Sequence, residues 1–251
     1  MLRGRGSPAT RLQALLLCGL AGCSYHVVRR DAFGPKKTYA VVSIHAYPEI
    51  HPIGQSQGSL SGLVKMAGKD SGLSRDSSGI LEDSVPIVMK ILKGSGSFKL
   101  ASEESVLGSK AYAAAAPDDP KIIFSSKFRA AKGYKFLSMK DGQNLAQLAQ
   151  KLKVDGVILL SLDYGYTFSG VNAAGLIAAG TQHGGVRAVV STYDRSGQLV
   201  WRDIIYKKSD ASIGAFGETG NFRKLHPLLL EAVSGCAKEL VAALSRDVRG
   251  P

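Results

Sequence analysis

A single α/β (α+β) domain, with a mixed sheet and amphipathic helices packed on it, is the fold class this sequence predicts, behind a cleaved signal peptide and a short tether. Three observations predict it. Apolar residues recur at helical steps in three stretches, Leu81 to Leu92, Leu145 to Leu152 and Leu229 to Leu244, and β-branched apolar runs lie between them. The chain has 251 residues, 45% hydrophobic against 21% charged, which supports one sizeable core and falls short of two complete domains. The first 22 residues have a composition of their own and leave the fold argument before it starts.

In that leader, Arg3, Arg5 and Arg11 stand without any acid, Leu12 to Leu20 forms a short apolar core, and Leu20-Ala21-Gly22-Cys23 offers small residues before a cysteine. A basic start, a short hydrophobic stretch and a small-residue site make a secretory signal over residues 1–22, too short to span a membrane. Leu-Ala-Gly-Cys resembles the lipobox of bacterial lipoproteins. The resemblance implies cleavage before Cys23, acylation of that cysteine (palmitate among the acyl chains) and a mature protein anchored by lipid. Ser24 is not the aspartate that retains such proteins in the inner membrane, so the resemblance implies an outer-membrane anchor, with the domain facing the periplasm.

Cleavage changes the arithmetic. Cys18 leaves with the signal and Cys23 is committed to lipid, so Cys236 stands alone and no internal disulfide forms. The mature chain keeps 29 basic against 20 acidic residues, a net charge of +9. For an exported chain the anionic partners are lipid headgroups and cell-wall polymer, which argues against nucleic acid.

Residues 23–37 read as a lipidated tether because they have no sustained period and contain Gly34-Pro35. The folded domain is expected over 38–248. Tyr39 to Tyr47 is a buried strand. Residues 52–78, rich in Gly, Ser, Lys and Asp, form a long flexible loop without phosphate-loop spacing. Leu81, Val85, Val88 and Leu92 make a helical face closed by Gly94, with Pro86 inside the pattern. Phe98 to Leu100 and Ile122 to Phe124 are short strands, and Ala111 to Pro120 is turn-rich. Asp141 caps a second helix striped by Leu145, Leu148, Ala149 and Leu152 and ended by Asp155-Gly156. Val157 to Leu162 is a buried strand. Gly170 to Gly185 is a flexible apolar connection with too many glycines for a helix. Val186 to Tyr193 and Leu199 to Tyr206 form a hairpin about the turn Asp194 to Gln198. Leu229, Val233, Cys236, Leu240 and Leu244 stripe the last helix, with Pro227 near its start.

A helix leading into Val154-Asp155-Gly156-Val157-Ile158, the hairpin Tyr193-Asp194-Arg195-Ser196-Gly197-Gln198-Leu199-Val200-Trp201 and a C-terminal amphipathic helix together resemble a group of periplasmic folds. The group comprises the curli-secretion lipoprotein, the lipoprotein activator of penicillin-binding proteins and the N-terminal domain of the Tol-system propeller protein. The likeness covers residues 38 to 248 in element order. The chain departs from the secretion-pore members in lacking two long alternating hairpins, which argues against a pore.

Signatures of catalysis are weak. His45 and His51 flank Tyr47-Pro48-Glu49, a loose metal-ligand spacing better read as a strand end with exposed polar residues. There is no Gly-x-Ser-x-Gly elbow and no Cys/His pair once Cys23 is acylated, so no catalytic residue, metal or cofactor is assigned. Asp163, Asp194 and Asp203 lie on or beside strands, Asp194 as a turn residue. Lys127, Arg129, Lys132 and Lys135, interleaved with Phe128, Tyr134 and Phe136 and flanked by Lys121, Lys140 and Phe124, are the candidate contacts to an anionic surface.

The expectation is a lipid-anchored, non-enzymatic envelope protein that binds, scaffolds or assists another envelope component in assembly or secretion. Its partners would be the membrane through Cys23 and an envelope protein or peptidoglycan. The alternatives are a basic module binding peptidoglycan or anionic lipid, and a periplasmic hydrolase without a recognised motif.

Overall fold

The computed structural model describes residues 26–53, 76–120, 127–138, 142–173, 177–216 and 222–249. In chain order they form β1 (Val27–Val28), a 3-10 turn (Arg30–Ala32), β2 (Thr38–Ala46), β3 (His51–Pro52), α1 (Ser78–Lys93), β4 (Lys99–Leu100), α2 (Glu103–Leu107), α3 (Lys110–Ala114), β5 (Arg129–Ala130), α4 (Gly142–Leu152), β6 (Gly156–Ala173), β7 (Ile177–Asp194), β8 (Leu199–Lys208), β9 (Ile213–Phe216) and α5 (Phe222–Arg249). The strands make one nine-stranded sheet with the path β1-β8-β7-β6-β2-β4. Outside that path, β3 pairs with β6, β5 with β2 and β9 with β7. β2 runs parallel to β4 and β6, and β3 parallel to β6; the other pairs are antiparallel.

Parallel strands at the centre of a sheet are covered on both faces, and β2 is buried along all but its first residue. One face carries the larger core: Tyr39, Ile44, Ile158, Leu160, Leu162 and Val190 meet α1 and the stripe Leu229, Val233, Cys236, Leu240 and Leu244 of α5. The second face carries a smaller core in which Ala40, Val42, Val157 and Leu159 meet Val106, Tyr112, Leu145, Leu148 and Ala149 of α2, α3 and α4. α5 can lie so close to β7 because Gly184 has no side chain; a Cβ there would stand 2.7 Å from the Leu228 and Leu229 backbone. An irregularity in the β2–β6 register between Val41 and Ser43 shifts the alternation by one residue. Tyr39 and Val41 face the larger core before it, Ile44 and Ala46 after it, so Ser43 and His45 are delivered to the second face.

Several expectations are corrected. The tether does not extend to Lys37: Val27 and Val28 pair with Arg202 and Trp201, and Phe33 is buried against Tyr39 at a ring distance of 5.3 Å. Apolar side chains with a free strand edge beside them have a better place than solvent. Where it is described, at 170–173 and 177–185, the segment expected as a flexible connection is paired instead: β6 and β7 run antiparallel from Gly156↔Asp194 to Ala173↔Ile177, each strand about 60 Å long. Residues 174–176 lie outside the described residues. Backbone hydrogen bonds there need no side-chain signal, so Gly- and Ala-rich sequence concealed them.

α4 ends at Leu152 rather than at Asp155-Gly156. Lys153 takes the left-handed conformation (φ 58°), its N–H donates to Gln150 O (3.1 Å), and Val154 N–H donates to Ala149 O (3.0 Å), a closing pattern that usually recruits glycine. Ala111 to Pro120 is helical over its first part, in α3. Of the loop expected at 52–78, the described ends are tied: Glu49 bridges Asp76, and Ser77 N–H donates to Pro48 O (2.9 Å). Residues 1–22, Cys23, Lys121, Ile122 to Phe124, Lys140 and Asp141 lie outside the described residues.

Candidate functional site

The basic-aromatic segment, residues 127–138, is a strap at the end of β2 that joins both cores, Ala131 and Tyr134 entering the larger one and Leu137 the smaller one beside α4. β5 pairs with the end of β2 through His45↔Ala130. Leu137 N–H donates to Ser43 Oγ (3.3 Å), and Lys135 N–H to Tyr112 Oη (2.7 Å), whose own hydroxyl donates to Val42 O (2.9 Å). Burial pushes the Tyr112 phenol up to about 12, so it stays a neutral clamp.

The strap uses much of its own chemistry. Phe128 and Phe136 stack at 5.3 Å and receive the edge of His45 at 5.1 and 4.7 Å, and Tyr47 adds an edge contact to Phe128 at 4.7 Å. Tyr134 is buried against α1. Lys135 Nζ donates to the carbonyls of Tyr112 (2.8 Å), Ala113 (2.7 Å) and Ala115 (2.6 Å), satisfying the C-terminal end of α3, and lies 5.4 Å from the Tyr112 ring centre. The Arg129 guanidinium pairs with Asp76. Lys127 and Lys132 present exposed side chains, and the Lys132 N–H donates to the Glu82 carboxylate (2.9 Å). Of the four cations expected to face an anionic surface together, two therefore hold the strap in place.

His45 and His51 are not brought to a common ligand. His45 is 7% exposed, shares a hydrogen bond with Ser43 Oγ (3.1 Å), and burial pushes its imidazole down to about 4, which keeps it neutral. It is an interior aromatic, not the exposed polar strand end expected. His51 turns to β6, its Nε2 3.3 Å from Asp163 Oδ1 at ion-pair rather than hydrogen-bond geometry. Arg187 Nη2 donates to Asp163 Oδ2 (2.7 Å). One oxygen of this buried carboxylate thus accepts from Arg187 and the other lies beside His51, which ties β3 and β7 to β6.

Asp194 accepts from Ser196 N–H (2.8 Å), Ser196 Oγ (2.6 Å) and Gln198 N–H (3.0 Å), the turn role expected, with Gly197 supplying a φ of 80°. Asp203 Oδ1 accepts the N–H of Ile204 (2.8 Å). Cys236 is buried and its thiol pushed up to about 12 by burial, so it packs as a small hydrophobe. No cluster of three metal-ligating side chains occurs among the described residues. A groove of about 210 Å³ between Ala114, Leu137, Leu145 and Leu148 is smaller than ordinary small-molecule sites.

Sequence reasoning missed one surface. Arg202, Ile204, Tyr206 and Lys208 alternate on the second face of β8, away from α5, and Arg187 lies opposite Tyr206. Ile204 is 48% and Tyr206 42% exposed. The signal was the alternation itself: the second-face positions of β8, mostly beyond its two-residue pairing with β1, hold two large apolar groups between two cations.

No protein-family model matches the sequence, and neither does any curated protein sequence. Solved structures that align with it include the LpoB C-terminal domain from Salmonella enterica, 12% identical over 77% of this chain and 93% of that one, with a TM-score of 0.31. A putative neuraminyllactose-binding hemagglutinin homolog from Helicobacter pylori is 10% identical over 86% and 87%, with a TM-score of 0.36. A lipoprotein from Neisseria meningitidis is 13% identical over 86% and 99%, with a TM-score of 0.25. Scores and identities this low carry no argument about function.

Proposed function

We propose that the protein is a lipid-anchored envelope protein that works without catalysis, by binding another envelope component while Cys23 holds it at a membrane surface. The observation that supports this reading most is where the reactive groups are spent. His45 is locked among aromatics, Asp163 lies between His51 and Arg187, His226 Nε2 lies 2.8 Å from Asp83 Oδ2, and Cys236 is buried. These groups are dispersed over both layers of the fold, each with a structural partner, while cations and apolar side chains stand on the surface. Such a surface recognises. The tether adds effective concentration: a domain confined to a membrane meets a neighbouring partner as an almost intramolecular event.

Crosslinking in intact cells, wild type against Cys23→Ser, tests the reading. A partner that depends on tethering is captured by the wild type and lost, or reduced by about 100-fold, from the released variant. Equal capture by both contradicts the tethering mechanism.

A second reading, a basic module for peptidoglycan or anionic lipid, is favoured by the exposure of Lys127 and Lys132. Replacing these two with glutamine is the test, because Arg129 and Lys135 hold the strap and their loss would confuse binding with folding. Each contact would contribute about 1 kcal/mol, attenuated by salt over a Debye length of about 8 Å. The double variant should then co-sediment less with peptidoglycan at low salt while melting unchanged; equal sedimentation removes these two lysines as contacts.

A further inference from the structure

We propose that the second face of β8, built on Ile204 and Tyr206, is a membrane-contacting surface that lays the domain against a bilayer bearing anionic phospholipid headgroups. Two independent observations converge on it. The first is the chemistry of the face. Ile204 and Tyr206 are the large hydrophobic side chains that stand exposed in the described residues, and they are next-but-one neighbours on one strand. Arg202 and Lys208 bracket them on the same face. An aliphatic group and an amphipathic phenol between cations match the interfacial zone of a bilayer, where tyrosine sits at headgroup depth and basic side chains meet phosphate.

The second observation is where the chain enters the fold. β1 runs antiparallel to β8 with Val27 opposite Arg202 and Val28 opposite Trp201, so the chain arrives from the Ile204 side. His26 Nδ1 lies 3.8 Å from Asp203 Oδ1, beside Ile204. Cys23 is three residues upstream of His26, within about 10 Å even for fully extended backbone. An acyl anchor at Cys23 therefore brings the bilayer to the end of β8 where Ile204 lies; His26 Nε2 also lies 3.4 Å from Asp247 Oδ2 of α5, so the anchor sets the end of the sheet and the exposed Ile204 and Tyr206 set the face. Asp203 points toward His26 rather than onto the face, and Asp163, which shares the face with Arg187, is paired with it. The orientation rests on the proposed lipidation of Cys23; the affinity of the face for lipid does not.

The chain from Ser24 onward contains every described element and separates the two. Its sedimentation is measured with phosphatidylcholine vesicles, with the same vesicles containing phosphatidylglycerol, and with peptidoglycan. The wild type is expected to prefer the anionic vesicles at low salt. Ile204→Ser with Tyr206→Ser should weaken that binding roughly ten-fold, and Lys208→Gln about five-fold, with melting temperatures unchanged because the side chains are exposed. In the lipidated full-length protein, a bimane label on Ile204→Cys should emit further to the blue in vesicles than one on Lys238→Cys, across the sheet on α5; buried Cys236 does not compete for the label. Equal vesicle binding by wild type and the double variant, preference for peptidoglycan, or equal emission from the two labels overturns the assignment. Failure of the anchor alone would leave vesicle binding by the unlipidated chain intact.

Discussion

His45 shows how one residue's environment is set by its neighbours on the chain. The register irregularity after Val41 turns it to the second face, and the strap then closes over it with Phe128 and Phe136. Nothing in the spacing of His45 and His51 shows this, since both the irregularity and the strap are tertiary facts. The consequence is a pH dependence. The folded protein holds His45 near pKa 4, below the 6.5 of an unfolded chain, so the unfolded state takes up a proton first as pH falls. The stabilisation from keeping the ring neutral is complete above pH 6.5 and is lost between 6.5 and 4, on the order of 3 kcal/mol. Urea melts across this range should show the loss in the wild type. His45→Phe, which keeps the ring contacts, should remove that part of the slope, and an unchanged slope would mean His45 is not buried neutral.

At the scale of elements, what was visible in the sequence was what has a side-chain period. The stripes of α1, α4 and α5, the continuous apolar run of β2 and the turn at Asp194 to Gln198 all left their pattern in residue spacing. The far half of the β6–β7 hairpin did not, because glycines and alanines pair through backbone alone and carry no period. β1 and β5, two residues each, are too short to have one. The close of α4 was misplaced because Lys153 occupies a left-handed position where glycine is the usual marker. α5 permits a sharp check. Leu240 is buried against the sheet, and Leu240→Asp places an unpaired carboxylate there, a change of about 3–5 kcal/mol. That is a large part of a domain's margin. The variant should unfold at far lower denaturant or fail to accumulate; melting within a few degrees of the wild type would mean the helix does not pack as described.

For the molecule as a whole, the candidate site divides along the same line. The basic residues of the strap were countable from the sequence, but which of them are free was not: Lys135 and Arg129 are engaged by α3 carbonyls and by Asp76, partners 20 and more residues away. The β8 patch required knowing which face α5 covers. Cys23 stands three residues before the first described residue, and its acylation, which would link these surfaces to the envelope, is the central claim. Fractionation of cells carrying wild type and Cys23→Ser, with the mass of the mature N-terminus, tests it most directly. One acyl chain holds a protein only marginally and several hold it firmly. The wild type should sediment with membranes and begin at an acylated Cys23, while Cys23→Ser moves to the soluble fraction or stays unprocessed. A variant that is cleaved normally and remains on the membrane would contradict the account.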